Sequence, residues 1–451
     1  MNKLLALTLS LFLLTFSNLL LNPAFAQNAN PPQLGKSPLK NVIAAMTLEE
    51  KAKFLVGNGL KLPGMQQPAM VGQTQDKVPG AAGTTFAIPR LGIPSMVVSD
   101  GPAGVRIDSV RKDGSRTYYA TAWPVGTLIA SSWDTSIAKK IGQAFGAEIH
   151  DYGIDIILGP AMNIHRNPLG GRNFEYYSED PLVSGEICAA LVKGIQSNGV
   201  GTSIKHFVAN NQETDRNSVN TIVSERALRE IYLKGFEIAV KESQPWTVMS
   251  SYNYVNGKYT SENYDLLTTI LRKEWNFKGF VMTDWFGGKD PVAQQKAGNN
   301  LIMPGMAAQS KAIIDAVKNG TLDEKILDQN IEGILNVMLK SPVFKKYAFS
   351  DRPDLKKNAA ISRSTTAEGM VLLKNENNAL PIANNVHSIA LFGYRGYDLI
   401  AGGTGSGDVN KAYKISIAQG LRNGGFQLSG AEPVYLDYIT TEKAKQPKKN
   451  F

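Results

Sequence analysis

The sequence predicts an α/β protein, a (β/α)8 TIM-barrel-like domain followed by the beginning of a second α/β domain. Three observations carry that expectation. Short apolar, β-like runs alternate with amphipathic helical stretches from about residue 90 to about residue 340, the pattern of a parallel sheet with crossover helices. That stretch is about the length a barrel needs, and no glycine-rich dinucleotide turn follows its first strand, which favours a closed barrel over an open doubly wound sheet. Polar residues also recur where the runs end, and in a barrel all strand C-termini meet at one face.

The β-like runs lie at 96–99, 154–158, 201–206, 247–252, 279–284 and 300–303, and the helical stretches between them at 135–152, 181–198, 224–242, 262–275 and 309–319. Asp134 and Ser224 stand at N-cap positions. Gly153, Gly199 and Gly320 stand at helix C-termini. At the strand ends come Asp100 after the first run, Asn163 and His165 just beyond the second, Lys205 and His206 on the third, Ser251 and Tyr252 on the fourth, and Asp284 on the fifth. Pro342, Pro353 and mixed charge around them mark a linker. A helical stretch at 359–368 and the apolar runs 370–374 and 389–393 then begin a second α/β unit.

The N-terminus carries Lys3, an apolar stretch at 4–21 broken by Thr8, Ser10, Thr15, Ser17 and Asn18, and then Ala24-Phe25-Ala26. This is the pattern of a secretory signal cleaved after Ala26 rather than a retained anchor. The expected organisation is a signal peptide at 1–26, a polar linker at 27–45, the barrel at 46–345, a linker at 346–358 and a truncated second α/β domain at 359–451. Export to the periplasm or the medium follows, with no stable membrane insertion after cleavage.

Composition narrows the function. With 43% hydrophobic and 19% charged residues the chain can bury large cores. The net charge of +9 is spread along the chain apart from the lysines at 443–449, so no basic stripe suggests a nucleic-acid partner. The single cysteine, Cys188, excludes an intramolecular disulfide, and the four histidines have no zinc spacing. The cluster Gly402-Gly403-Thr404-Gly405-Ser406-Gly407 fits neither a dinucleotide fingerprint nor a Walker loop, and leaves open a loop that approaches a ligand. No metal or cofactor is expected.

Asp284, between an apolar strand and Trp285-Phe286, suits sugar chemistry: the carboxylate can attack an oxocarbenium-like carbon while an aromatic face stacks on a pyranose. A helix N-cap is the alternative. Asp100, in SDGPAGVR, can accept bonds from paired hydroxyls or form an Asx turn. Lys205 and His206 can donate to hydroxyls, provided a bulge aims both adjacent side chains to one side; the alternative is a salt-bridged Lys and a core His. Arg166 and Arg172 bracket HRNPLGGRNFEYYSEDP, where Glu175 and Glu179 can pair with them.

SDGPAGVR, GGRNFEYYSEDP, KHFVANNQE, MSSYN, VMTDWFG and AGNNLIMPG, in that order, closely resemble the N-terminal domain of glycoside hydrolase family 3, and EGMVLLKNENNALPI and GGTGSGDVN resemble the start of its second, α/β-sandwich domain. The likeness runs over about residues 40–420 and is greatest to the β-glucosidase group. It implies exo-acting, retaining release of terminal β-D-glucose from oligosaccharides or glycosides. Asp284 matches the nucleophile; Asp100, Arg172, Lys205 and His206 match residues that hold the sugar hydroxyls; Met249, Tyr252 and Trp285 match the walls of that subsite. The resemblance implies a general acid/base Glu in the second domain, expected beyond residue 451; the His of single-domain members has no counterpart in KHFVANNQETDRN. Glu213 is the internal alternative, as a proton donor or as a support for Lys205 and His206. Two further readings stay open: a sugar-binding form without turnover, and the same chemistry on xylosides or N-acetylglucosaminides. The sequence carries no signal for an oligomeric state.

Overall fold

The computed structural model describes residues 31–58 and 77–445, apart from positions 113 and 115. The signal-peptide expectation at 1–26 lies outside the described residues. No helix among the described residues is long and apolar enough to cross a membrane.

Six strands and two bridged segments make a ring. β1 (Gly83–Thr84), β2 (Val97–Ser99), β3 (Ile156–Ile157), β4 (Gly201–Phe207), β5 (Thr247–Ser250) and β6 (Phe280–Thr283) are hydrogen-bonded neighbours in that order. Leu301 then pairs with Met282 of β6, Ile302 with Val56, and Asn58 with Thr84 of β1, which brings the ring back to its start. The sequence run at 300–303 therefore contributes bridges rather than a strand. β2 to β6 are parallel, as expected, but β1 runs antiparallel to β2. The reason is the shape of the connection: Ile88 and Ile93 pair antiparallel around the tight turn Pro89–Leu91, ended by Gly92 at φ +66°, and such a hairpin reverses the chain, whereas a parallel partner needs a crossover.

Strand residues alternate between two apolar clusters. Val97, Ile157, Val248 and Val281 pack beneath the helices Thr135–Asp151, Pro181–Gln196 and Lys234–Ser243, while Val98, Ile156, Met249 and Met282 belong to a cluster shared with Leu48–Phe54 and Glu324–Met338. This is the period-2 signature of strands buried on both faces. Asp134 and Ser224 cap their helices, accepting from the Ser136 and Ala227 amides. Gly153, Gly199 and Gly320 all have positive φ. The expected helix at 224–242 is interrupted: a π-helical segment, Leu228–Tyr232, separates Glu225–Ala227 from Lys234–Ser243. The stretch at 262–275 is π-helical over Asp265–Glu274.

The segment read as a linker at 346–358 is fastened to the barrel. Arg111 pairs with Asp351 (2.7 Å), the Asp351 amide donates to the Asp151 carbonyl (2.7 Å), and helix Leu355–Glu368 begins inside it. Beyond that helix, Ser388–Ile389 and Gln427–Leu428 pair in parallel around helix Ile417–Asn423. The apolar run 370–374 forms no strand, and Leu373 is 91% exposed, because no described strand lies beside it to pair with.

Helix Leu355–Glu368 is held through a buried carboxyl. Glu148 accepts from the Thr121 amide (2.7 Å) and from Asn358 Nδ2 (2.9 Å). Burial pushes its carboxyl up to about 7, although these bonds oppose the shift. A pKa raised on folding gives a stability contribution that is complete below the unfolded value and lost as pH rises through the folded one. Glu148→Gln keeps both partners if the Asn358 amide turns over, and removes the titration. Urea unfolding at pH 4 and pH 8 should therefore show wild type losing about 3 kcal/mol relative to Glu148→Gln over that interval; a difference that does not change with pH would contradict this.

Candidate active site

The polar strand ends converge as a barrel requires. A cavity of about 510 Å³ opens at the C-terminal face, and all eight candidate residues (Asp100, Arg172, Lys205, His206, Met249, Tyr252, Asp284 and Trp285) line it. Arg166 does not; it is exposed on the loop below. His165 also stays outside, with its Nε2 bonded to the Asn173 carbonyl (2.9 Å), where it ties down the loop that carries Arg172.

Lys205 and His206 are adjacent yet both reach the cavity. The pairing of β4 with β5 shifts register between Ile204 and Phe207, and this irregularity re-aims the side chains, as the sequence required. Both are almost fully buried, at 2% and 1% exposure. Lys205 Nζ lies 3.9 Å from Asp100 Oδ1, and Arg106 Nη1 lies 3.7 Å from Asp100 Oδ2. Burial raises the Asp100 carboxyl above the usual range, with Lys205 and Arg106 pulling against it.

His206 is locked from several sides. Its amide donates to Asn163 Oδ1 (2.8 Å), its carbonyl accepts from Asn163 Nδ2 (2.9 Å), and Arg172 Nη2 donates to its Nε2 (2.9 Å). Burial, with Arg172, Lys205 and Arg216 nearby, holds its imidazole well below the usual range and so neutral. That fits a tautomer in which Nε2 accepts from Arg172 and Nδ1–H faces Asn163 Oδ1 (3.2 Å). Arg172 in turn pairs with buried Glu175. Burial opposes its charge, but Glu175, Tyr176 and Asp284 together outweigh burial and hold the guanidinium well above its usual range.

Asp284 ends β6 and accepts from the Trp285 amide (2.7 Å) at Oδ1, while Oδ2 lies 3.5 Å from the neutral His206. Tyr252 lines the cavity with this carboxylate; burial and Asp284 push its phenol well above the usual range, so it stays protonated and able to donate. Among the described carboxylates lining the cavity, Asp100, Glu175 and Glu213 are each paired with Lys or Arg. Among the described residues Asp284 has no Lys or Arg within ion-pair distance; the Arg172 charge acts on it from farther off, and its carboxylate accepts from the neutral Trp285 amide. The N-cap alternative for it does not apply, since the following helix, Pro291–Ala297, is capped by Asp290. Trp285 is fixed by its indole N–H, which donates to the Ala82 carbonyl (3.3 Å), and Met249 is buried beneath.

Arg106, Phe174 and Arg216 line the cavity without having been singled out in the sequence, and the glycine-rich loop, left open there as one that approaches a ligand, lines it through Thr404 to Ser406. Arg106 stands in the same SDGPAGVR motif as Asp100. The loop at 402–407 is far from the strand ends in sequence and comes to the cavity only through packing. Val409 is buried beside Gly104, the Ala120 amide donates to the Asn410 carbonyl (2.8 Å), and Phe174 lies so close to Gly403 and Gly407 that neither has room for a Cβ. Glu213 lines the wall bonded to Arg216 (2.8 Å) rather than supporting Lys205 or His206, because the loop after β4 turns its side chain toward its own i+3 neighbour.

Gly101 shows how tightly the loop is seated, since a Cβ there would lie 1.9 Å from the Ser406 carbonyl oxygen. Gly101→Ala must push the loop off the cavity. Calorimetric titration with glucose is expected to show about tenfold weaker binding; unchanged affinity would mean that the loop is not part of the sugar site.

Residues 80–337 match the glycosyl hydrolase family 3 N terminal domain and residues 370–447 its C-terminal domain. The chain is 39% identical over 406 residues to β-glucosidase B of Emericella nidulans, covering 88% of this chain and 44% of that protein. It is 42% identical over 298 residues to an exo-α-(1→6)-L-arabinopyranosidase of Bifidobacterium longum, covering 64% of this chain and 39% of that protein. Among solved structures, β-glucosidase 3B from Thermotoga neapolitana in complex with glucose superposes with a TM-score of 0.85 at 51% identity, over 91% of this chain and 57% of that one. The chain thus spans about half the length of the relatives it matches. With two family domains matched in order along one barrel and the unit that follows it, the chain belongs to glycosyl hydrolase family 3.

Proposed function

We propose that the cavity holds the terminal sugar of a β-glucoside and that the chain is an exo-acting, retaining β-glycosidase with Asp284 as nucleophile. The observation that carries this reading is the pairing pattern of the cavity: its other described carboxylates are ion-paired with Lys or Arg, whereas Asp284 accepts from the neutral Trp285 amide beside Tyr252. A carboxylate so placed can attack the anomeric carbon, expel the aglycone and form a glycosyl ester that water later opens. Asp100 supplies a charged acceptor and Lys205 and Arg172 several donors in a buried wall that the neutral His206 ring completes, which suits the ring hydroxyls of an unsubstituted terminal sugar. Glucose is the preferred sugar by analogy with the β-glucosidase relatives, one of them solved with glucose.

The pairing of Asp100, Glu175 and Glu213 with basic residues also supports a second reading, a chain that binds glucose and accepts it on Asp284 but turns over slowly, because no described lining carboxylate is free to act as acid/base. Proton NMR of an aryl β-D-glucoside incubated with the full chain separates the two. The glycosidase reading expects β-glucose as the first product; the second expects one equivalent of phenol and then arrest; α-glucose first would refute retention. Xylosides, N-acetylglucosaminides and α-L-arabinopyranosides in the same assay test the sugar. Export is proposed from the N-terminal pattern alone, and an exported chain whose mass begins at Gln27 would support it.

A further inference from the structure

We propose that Arg216 is a positioning residue for the glycosylation step: stacked on Tyr252 and tethered by Glu213, it fixes the phenol that orients the Asp284 carboxylate. The inference rests on Asp284 being the nucleophile.

Arg216 sits in the loop after β4. Its guanidinium carbon lies 4.6 Å from the centre of the Tyr252 ring, and its Nη1 is bonded to Glu213 Oε2 at 2.8 Å. The loop is pinned on both sides of it. The Ser218 and Val219 amides donate to the Asp215 carbonyl (both 2.8 Å), Tyr259 Oη donates to the Asn217 carbonyl (3.2 Å), and the Tyr254 amide donates to the Val219 carbonyl (2.9 Å). The three-stranded sheet Asn220–Thr221, Tyr254–Val255 and Lys258–Tyr259 thus couples the Arg216 loop to the segment that follows Tyr252. A cation over the ring face restrains the ring plane and draws electron density from the phenol, which strengthens Tyr252 O–H as a donor. Tyr252 shares the cavity lining with Asp284 and its phenol interacts with that carboxylate, so what Arg216 sets through the ring is the orientation of the attacking oxygen. The positive charge also opposes protonation of His206 and so helps keep it neutral beside Asp284.

Arg216 lines the cavity and might be taken for an aglycone contact, so the test removes the aglycone. The full chain is incubated with 2-deoxy-2-fluoro-β-D-glucosyl fluoride, whose leaving group is a single atom, and the first-order gain of one fluoroglucosyl mass is followed. Glucose affinity is titrated in parallel. Arg216→Gln should label about tenfold more slowly than wild type with glucose affinity within about twofold. Arg216→Lys should recover part of the rate, and Glu213→Gln, which frees the tether but keeps the charge, should lose less. Labelling of Arg216→Gln at the wild-type rate overturns the inference and leaves the functional reading standing. So does a loss seen only with a dinitrophenyl leaving group, or one matched by the loss in glucose affinity. Failure of wild type to label overturns the functional reading and the inference together.

Discussion

Asp284→Ala is expected to lower kcat/KM on a dinitrophenyl β-glucoside by about 10⁴-fold or more, the scale of losing a nucleophile that no neighbour can replace. The reason is geometric. The remaining described carboxylates of the lining are ion-paired with Lys or Arg, and the Trp285 amide, with Tyr252 in the same lining, faces Asp284 alone among them. The same variant should regain turnover with azide, which can enter the space left by the carboxylate, attack the anomeric carbon as dinitrophenolate departs, and leave α-glucosyl azide. That product is diagnostic: β-glucosyl azide would mean that a covalent intermediate still forms elsewhere, and no loss on substitution would remove Asp284 from the chemistry. Circular dichroism and glucose binding serve as controls, since the carboxylate bonds only to groups at the cavity.

Asp100→Asn is expected to cost about 10²- to 10³-fold in kcat/KM, because an acceptor that holds hydroxyls with a full charge becomes a neutral amide, half of it a donor. It should also cost stability. Lys205, 2% exposed, has Asp100 as its ion-pair partner, and removing one member of a buried pair strands the other. The two effects separate in the double variant Asp100→Asn with Lys205→Met. Its melting temperature should recover toward wild type while its activity stays low. Recovery of both would mean that neither side chain holds the substrate and that the single variant loses activity only through the stranded Lys205 charge.

The strand ends were legible because the barrel puts them on one face whatever the loops do. Asp100, Lys205, Tyr252 and Asp284 each follow an apolar run, and that alone assigns them to the cavity rim. The Asp134 and Ser224 caps were legible for an equally local reason, a side-chain oxygen one residue ahead of a helical period. The helix Glu324–Met338 carries the signal in Leu327, Ile331, Ile334, Leu335 and Met338, spaced for one buried face, but the sequence reading stopped short of it. The reversal of β1 was hidden because two-residue strands hold no period, and the ring closure at Val56 and Ile302 rests on single bridges.

The rest depends on contacts between distant segments. Thr404 to Ser406 reach the site through Val409, Asn410 and Phe174, and no local pattern in a glycine cluster says where it will dock. Arg216 follows no apolar run and carries no local signal; only the small sheet formed with Tyr254 and Tyr259 brings it over Tyr252. The segment 346–358 resembled a linker by its prolines and charges, and those same charges are what bind it to the barrel through Arg111 and Asp351. Local pattern fixed the residue types at the strand ends, while the loops that shape the cavity were set by tertiary packing.

The measurement that tests the central claim most directly is the mass of the purified full chain after incubation with dinitrophenyl 2-deoxy-2-fluoro-β-glucoside, followed by identification of the labelled peptide. The activated leaving group needs little acid assistance, and the fluorine slows release of the sugar. The account predicts a gain of one fluoroglucosyl unit on the peptide containing Asp284. A folded chain that gains no mass, or that carries the sugar on a different carboxylate, would contradict it.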